Sequence, residues 1–310
     1  MLALLLAAAL DTGAVEHAVR LVMRTQHVAA LSLGIERSGR AIFEQGYGTA
    51  DLGRRTPATP HTIYRIGSLT KPFTARAIEI LDAQARLSLD DPVARYAALP
   101  WNASITIREL LEQRSGIPSY SDDPALDMHA EYTPAQLVDA LTSQPLDFAP
   151  GTQFEYSNTN YVVLGSVIER VSGLPYGEYV QQTFSAPMQL RSTRYGDAPG
   201  EARGYATDTL HLPVARSSLS YAYAAAGMSS NVPDLLRFLQ STAEPYYGFL
   251  RADMSGTPIV YASGFVPGYS AFEMIVPQTR DAVVILTNAD RTDLIPLAQD
   301  VLAALEAPAH

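Results

Sequence analysis

At 310 residues, 47% hydrophobic and 17% charged, the chain can bury one large core or two interlocked ones, and its composition is globular rather than disordered or membrane-embedded. A formal net charge of −10 repels phosphate backbones and anionic lipid, which argues against nucleic acid as a partner and leaves a small molecule as the better expectation. Cysteine is absent, so disulfides, thiolate metal sites and cysteine nucleophiles are excluded together, while the redox compartment stays open.

The opening residues 1–10, MLALLLAAAL, are apolar enough for the core of an export signal but lack a basic flank and are too short to span a bilayer. They fit either a truncated signal, which would place the chain in the periplasm or outside the cell, or a short N-terminal helix; no other stretch approaches membrane length. Helical spacing of Val15, Ala18, Val19, Val22 and Met23 follows over 14–25, and then alternation over 28–35 and 41–47, with Ser38-Gly39 between, predicts a hairpin. Helical patterns recur over 73–85, 107–112, 134–142, 160–171, 176–184 and 232–239, separated by loops rich in Pro, Gly, Asp and Tyr. Strand-like runs return at 259–263, 270–276 and 282–287, before a last amphipathic helix over 294–305.

Strands at both ends with helices between them predict an α+β chain in which residues 1–72 and 243–310 build a sheet lobe and 73–242 an inserted, mostly helical lobe. A small-molecule site belongs in the groove between the two.

Lys71 is the only lysine among the 22 basic residues. Arginine stays protonated in proteins, whereas burial can drive a lysine neutral, so this position suits a proton acceptor; an arginine-rich proteome with one lysine left by chance gives the same count. Ser68 precedes it by three residues in Ile66-Gly67-Ser68-Leu69-Thr70-Lys71-Pro72-Phe73. Residues three apart share a helix face, which brings the amine to the hydroxyl, and Pro72 and Gly67 require the helix to begin close to Ser68. The serine then sits at the positive end of a helix, where a backbone N–H can stabilise the oxyanion formed when Ser68 attacks a carbonyl.

Tyr156-Ser157-Asn158 offers a phenol to relay a proton and an amide to hold a substrate carbonyl or the lysine; as a structural element alone, it is a loop capping the helix that starts near Asn160. Ala262-Ser263-Gly264-Phe265, followed by Val266-Pro267-Gly268-Tyr269, is a strand end whose small residues let a substrate backbone approach; alone it is a strand ending in a turn.

In order and spacing these three pieces resemble the serine β-lactamase and penicillin-binding-protein family, and within it the class C branch with its D-alanyl-D-alanine carboxypeptidases, D-aminopeptidases and β-lactamase-like esterases. Supporting matches are Leu89-Asp90-Asp91-Pro92-Val93, residues 105–118 with Ser115-Gly116, residues 150–165 and Ala225-Ala226-Gly227-Met228-Ser229-Ser230. The resemblance implies an antiparallel sheet flanked by helices with a helical lobe beside it. It implies Ser68 as nucleophile, Lys71 as its base, Tyr156 as proton relay or deacylation base, and Asn158 as a contact for the substrate amide. Ser263, Gly264 and Phe265 would line the substrate site, with the N–H groups of Ser68 and Phe265 forming the oxyanion hole. No metal or cofactor is implied, and none of His17, His27, His61, His129, His211 or His310 lies in these motifs to support a Ser-His-Asp triad.

Three departures stand out. Ala262 replaces the Lys, His or Trp that usually heads the third motif, which removes a cation or ring for a substrate carboxylate; residues 242–259 are short for the family; and Gln113-Arg114 replaces the commoner His-Thr. The expectation is therefore a hydrolase of small acyl substrates, of esterase or D-amino-acid peptidase type, ahead of a β-lactamase or D-Ala-D-Ala carboxypeptidase. A ligand-binding or sensor homologue that acylates without turnover is the alternative from another class. Oligomeric state is not legible.

Overall fold

A computed structural model describes residues 10–101 and 104–307. The expectation for residues 1–10 falls, apart from Leu10, outside them. Among the described residues, no helix is long and apolar enough to cross a membrane.

After helix α1 (Thr12–Thr25), the predicted hairpin appears as β1 (Ala30–Arg37) and β2 (Arg40–Asp51). Short strands β3 (Thr56–Pro57) and β4 (Tyr64–Arg65) lead through a 3₁₀ turn, Gly67–Leu69, into α2 (Thr70–Ala83). The middle of the chain carries α3 (Ile107–Leu111), α4 (Pro134–Asp139), α5 (Asn158–Ser172), α6 (Tyr176–Val180), β5 (Arg194–Tyr195), α7 (Leu219–Ala226), β6 (Met228–Ser230) and α8 (Val232–Leu239). It closes with β7 (Leu250–Met254), β8 (Thr257–Val266), β9 (Tyr269–Val276), β10 (Asp281–Thr287) and α9 (Ile295–Glu306).

The large sheet has seven strands in the order β3-β2-β1-β10-β9-β8-β7, and its paired neighbours run antiparallel. N- and C-terminal strands meet where β1 pairs with β10, Leu33 opposite Ile285. One face is covered by α1 and α9, whose Val15, Val19, Val22, Leu297 and Val301 pack with Leu31, Leu33, Val283 and Ile285. The other face belongs to a larger core with Phe73, Leu164 and Leu236, in which the Phe73 and Phe238 rings stack at 3.6 Å. With both faces covered, β9 is buried along its whole length, so the polar alternation that marks a half-exposed strand is absent and only Ser270 and Glu273 interrupt its apolar residues.

Two features depart from the simplest reading of the pattern. Helix α8 lies across the sheet: a β-carbon on Gly34 would meet the side chains of Val232 and Leu236. A second, three-stranded sheet, β4-β6-β5, ties the segment before Ser68 to residues 228–230 and 194–195. Strands of two or three residues carry no readable period, so pairing partners far along the chain decide them.

Candidate active site

The turn that presents Ser68 is held from both sides. On one side the Ile66 N–H donates to Met228 O at 3.0 Å, while buried Arg65 donates to Ser217 O at 2.8 Å and pairs with Glu201 at 3.2 Å. On the other, Thr70 Oγ1 donates to Gly67 O at 2.7 Å. The α-helix begins at Thr70 and not at Ser68, because Gly67 has φ +53 and the next residues close a tighter 3₁₀ turn first. Pro72 still falls in the first turn of α2, where no helical donor is lost.

One helical turn on, Lys71 is 2% exposed, and its Nζ donates to Ser68 Oγ at 3.0 Å, Asn158 Oδ1 at 2.7 Å and Ala225 O at 3.0 Å. None of these partners is ionised. Burial holds the Lys71 amine below the ordinary lysine value, with the Tyr156 phenol acting in the opposite direction. Tyr156, 40% exposed, donates its OH to Ser68 Oγ at 2.9 Å, and the Lys71 amine lies 4.8 Å from its ring centre. Ser68 Oγ is thus within proton-transfer reach of both a buried amine and a phenol.

Tyr156 and Asn158 occupy this position because Ser157, the N-cap of α5, sits in extended conformation between them. Gln113, also buried, pins that corner: its Oε1 accepts from Ser157 N at 3.0 Å and from Asn160 Nδ2 at 2.6 Å, and its carbonyl accepts from Glu155 N at 2.9 Å. Asn158 starts α5 two residues earlier than the pattern predicts. Both ends of its amide are engaged, Oδ1 with Lys71 and Nδ2 with Ser121 Oγ at 2.9 Å.

The third segment forms the end of β8. Ala262 and Gly264 point inward and are buried, while Ser263 and Phe265 are exposed. Ideal β-carbons on Gly67 and Gly264 would stand 2.6 Å from Phe265 N and 2.0 Å from Ile66 O. Only glycines let the strand and the serine turn approach this closely. All seven sequence-predicted site residues, Ser68, Lys71, Tyr156, Asn158, Ser263, Gly264 and Phe265, line one open cavity of roughly 840 Å³ together with Ala262. A second cavity, roughly 660 Å³, adjoins it along Lys71, Phe154, Tyr156, Gly248 and Leu250, and its wall adds Tyr246, Tyr247, Phe249 and Tyr261. Among the described residues, no cluster of His, Asp or Glu is placed to hold a metal ion.

A family model described as Beta-lactamase matches residues 15–306. The chain belongs to the beta-lactamase family. Its α+β fold is accordingly β-lactamase-like. Similar solved structures are the octameric penicillin-binding protein homologue from Pyrococcus abyssi and a D-stereospecific amidohydrolase from Streptomyces sp. The first is 27% identical with a TM-score of 0.84, covering 96% of this chain and 78% of that one. The second is 27% identical with a TM-score of 0.78, covering 96% and 99%. Among sequences, Protein flp of Staphylococcus aureus (strain MW2) is 27% identical over 300 residues, covering 84% of this chain; the chain spans 60% of the length of that relative.

Within this beta-lactamase-family chain, several cavity residues carry no sequence signal. Phe154, Gly248, Leu250 and the run Arg291, Thr292, Asp293, Leu294 and Ile295 reach the site only through folding. Gln113 stood out in the sequence only as a departure from the family, and its hydrogen bonds give it a physical purpose. Residues 242–259 include the edge strand β7.

Proposed function

We propose that the chain is a serine hydrolase that cleaves small esters or amides through an acyl-enzyme on Ser68. The reading rests on one observation: Tyr156 OH, Ser68 Oγ, Lys71 Nζ and Asn158 Oδ1 are connected at 2.9, 3.0 and 2.7 Å along the wall of an open cavity.

The buried Lys71 amine, held toward its neutral form, accepts the Ser68 proton as Oγ adds to the carbonyl carbon. The developing oxyanion is received by the N–H groups of Ser68 and Phe265, whose close approach Gly67 and Gly264 allow. Collapse breaks the bond to the alcohol or amine, which leaves with a proton passed from Lys71 through Tyr156. Water, deprotonated through the same pair, then adds to the acyl carbonyl, and Ser68 regains its proton. Asn158, engaged at both ends of its amide, is assigned to holding Lys71.

Similarity to a D-stereospecific amidohydrolase makes D-amino-acid amides the first amide class to assay. The deciding experiment compares wild type, Ser68→Ala and Lys71→Ala on short-chain 4-nitrophenyl esters, D-amino-acid amides and a chromogenic cephalosporin, with mass spectrometry after fluorophosphonate treatment. Turnover and a single adduct, both lost in Ser68→Ala, are expected. Activity surviving both substitutions would place the chemistry elsewhere, a stable adduct without turnover would make the chain a ligand-binding homologue, and cephalosporin turnover far above that of the esters would make it a β-lactamase.

A further inference from the structure

Two basic side chains line the main cavity, Lys71 and Arg291. Lys71 is committed to Ser68, Asn158 and Ala225. Arg291 is exposed and, among the described residues, makes no ion pair; its guanidinium carbon stands 5.3 Å from the centre of the Phe265 ring. By contrast, Arg251, on the wall of the adjoining cavity, is neutralised by Glu244 at 2.6 Å.

The Arg291 position is fixed rather than incidental. The following residue donates its N–H to Ser270 Oγ at 2.9 Å, and Ser270 Oγ in turn donates to Ala289 O at 3.0 Å. Ser270 is the direct cross-strand neighbour of Phe265. The turn bearing Arg291 is therefore pinned to the strand pair that ends at the serine turn, and Arg291 itself takes φ +49, an uncommon backbone conformation for a residue with a side chain. The neighbouring carboxylates form no ion pair with Arg291 among the described residues: Asp293, which lines the same cavity, accepts from Ile295 N through Oδ1 at 3.1 Å, and Asp290 Oδ1 accepts from Gly268 N at 3.4 Å.

On a chain of net charge −10, a substrate anion needs a local cation to dwell in the groove, and Ala262, on the same wall, offers none. We propose that Arg291 is a specificity residue that binds a carboxylate carried by the ester or amide substrate, its guanidinium held over the Phe265 ring with N–H donors left for a two-point contact. This rests on the hydrolase reading for turnover but not for binding. The carboxylate belongs to either the acyl or the leaving half of the substrate, and matched pairs distinguish them: mono-4-nitrophenyl succinate against its methyl ester, and 3-carboxyphenyl acetate against phenyl acetate.

In Arg291→Ala, KM for the carboxylate-bearing member of one pair rises roughly 10- to 100-fold with kcat little changed, the neutral partner stays within about twofold, and Arg291→Lys recovers part of the loss. Equal effects on charged and neutral partners, or none on either, would overturn the assignment. Calorimetric titration of 3-carboxyphenyl acetate and of succinate into Ser68→Ala and into Ser68→Ala/Arg291→Ala reads the contact without turnover. Binding of one of them lost in the double variant supports the proposal even if the hydrolase reading fails, and equal binding in both proteins sinks it even if hydrolysis is robust.

Discussion

A β-carbon on Gly67 would stand 2.6 Å from the amide nitrogen of Phe265, so the serine turn and the end of β8 are in backbone contact at the point where an oxyanion would be received. Gly67→Ala must push the strand away, and at φ +53 it also strains its own backbone. Ester turnover is expected to fall about 100-fold, the order of magnitude for one displaced oxyanion donor. Steady-state kinetics on 4-nitrophenyl acetate checks this, with far-UV circular dichroism to confirm the fold.

Lys71 should give the activity an ascending pH limb. In the proposed mechanism its amine must be neutral to accept the Ser68 proton, and burial brings that form within reach below the ordinary lysine value. Lys71→Arg, which stays protonated, should lose at least about 10³-fold in kcat at every pH tested. Stability carries a matching sign. Between the depressed native value and the higher unfolded one, the unfolded chain binds more protons, so wild-type stability rises with pH across that window. Lys71→Met should remove this slope in urea titrations and gain most over wild type at the low-pH end.

Gln113 supports the Tyr156 corner through three hydrogen bonds without touching Ser68. Gln113→Leu leaves Ser157 N and Asn160 Nδ2 buried without their acceptor, at a cost of about 2–4 kcal/mol. Activity should fall through kcat rather than KM, because Tyr156 is displaced while Gln113 is absent from the wall of the main cavity. Urea melts and a kcat–KM comparison with Gln113→Glu, which restores the acceptor, test the two parts.

Glu273, on β9 directly opposite Ala262 and Val284, is fully buried, and neither carboxylate oxygen finds a partner among the described residues. Burial pushes its carboxyl well above the usual range. A raised native pKa means that stability is fullest below the unfolded carboxylate value and is lost as pH rises from there toward the native value. Glu273→Leu should therefore stabilise the protein by about 1–3 kcal/mol near neutral pH and less at pH 4, and should flatten the decline. Thermal melts between pH 4 and 8 read both.

The sequence carried the parts of this protein that depend on local periodicity. The hairpin of β1 and β2 around Ser38-Gly39 and the terminal helices α1 and α9 follow from spacing, since side chains on one face of an element must meet one core, and strands β9 and β10 follow from short, mostly apolar runs bounded by turn residues. Ser68 and Lys71 were legible for the same reason: three residues on one helical turn are neighbours whatever the rest of the chain does.

What needed the tertiary structure were the relationships between segments that neither the strand and helix pattern nor the family resemblance implied. The sheet β4-β6-β5, the placement of α8 across β1 and β10, the grip of Gln113 on Ser157, and the arrival of Arg291 over Phe265 join residues that share no period and lie tens to hundreds of positions apart. Long-range contacts are selected by how whole faces fit and which buried polar groups find partners, energies that belong to pairs of surfaces and are written in neither surface alone.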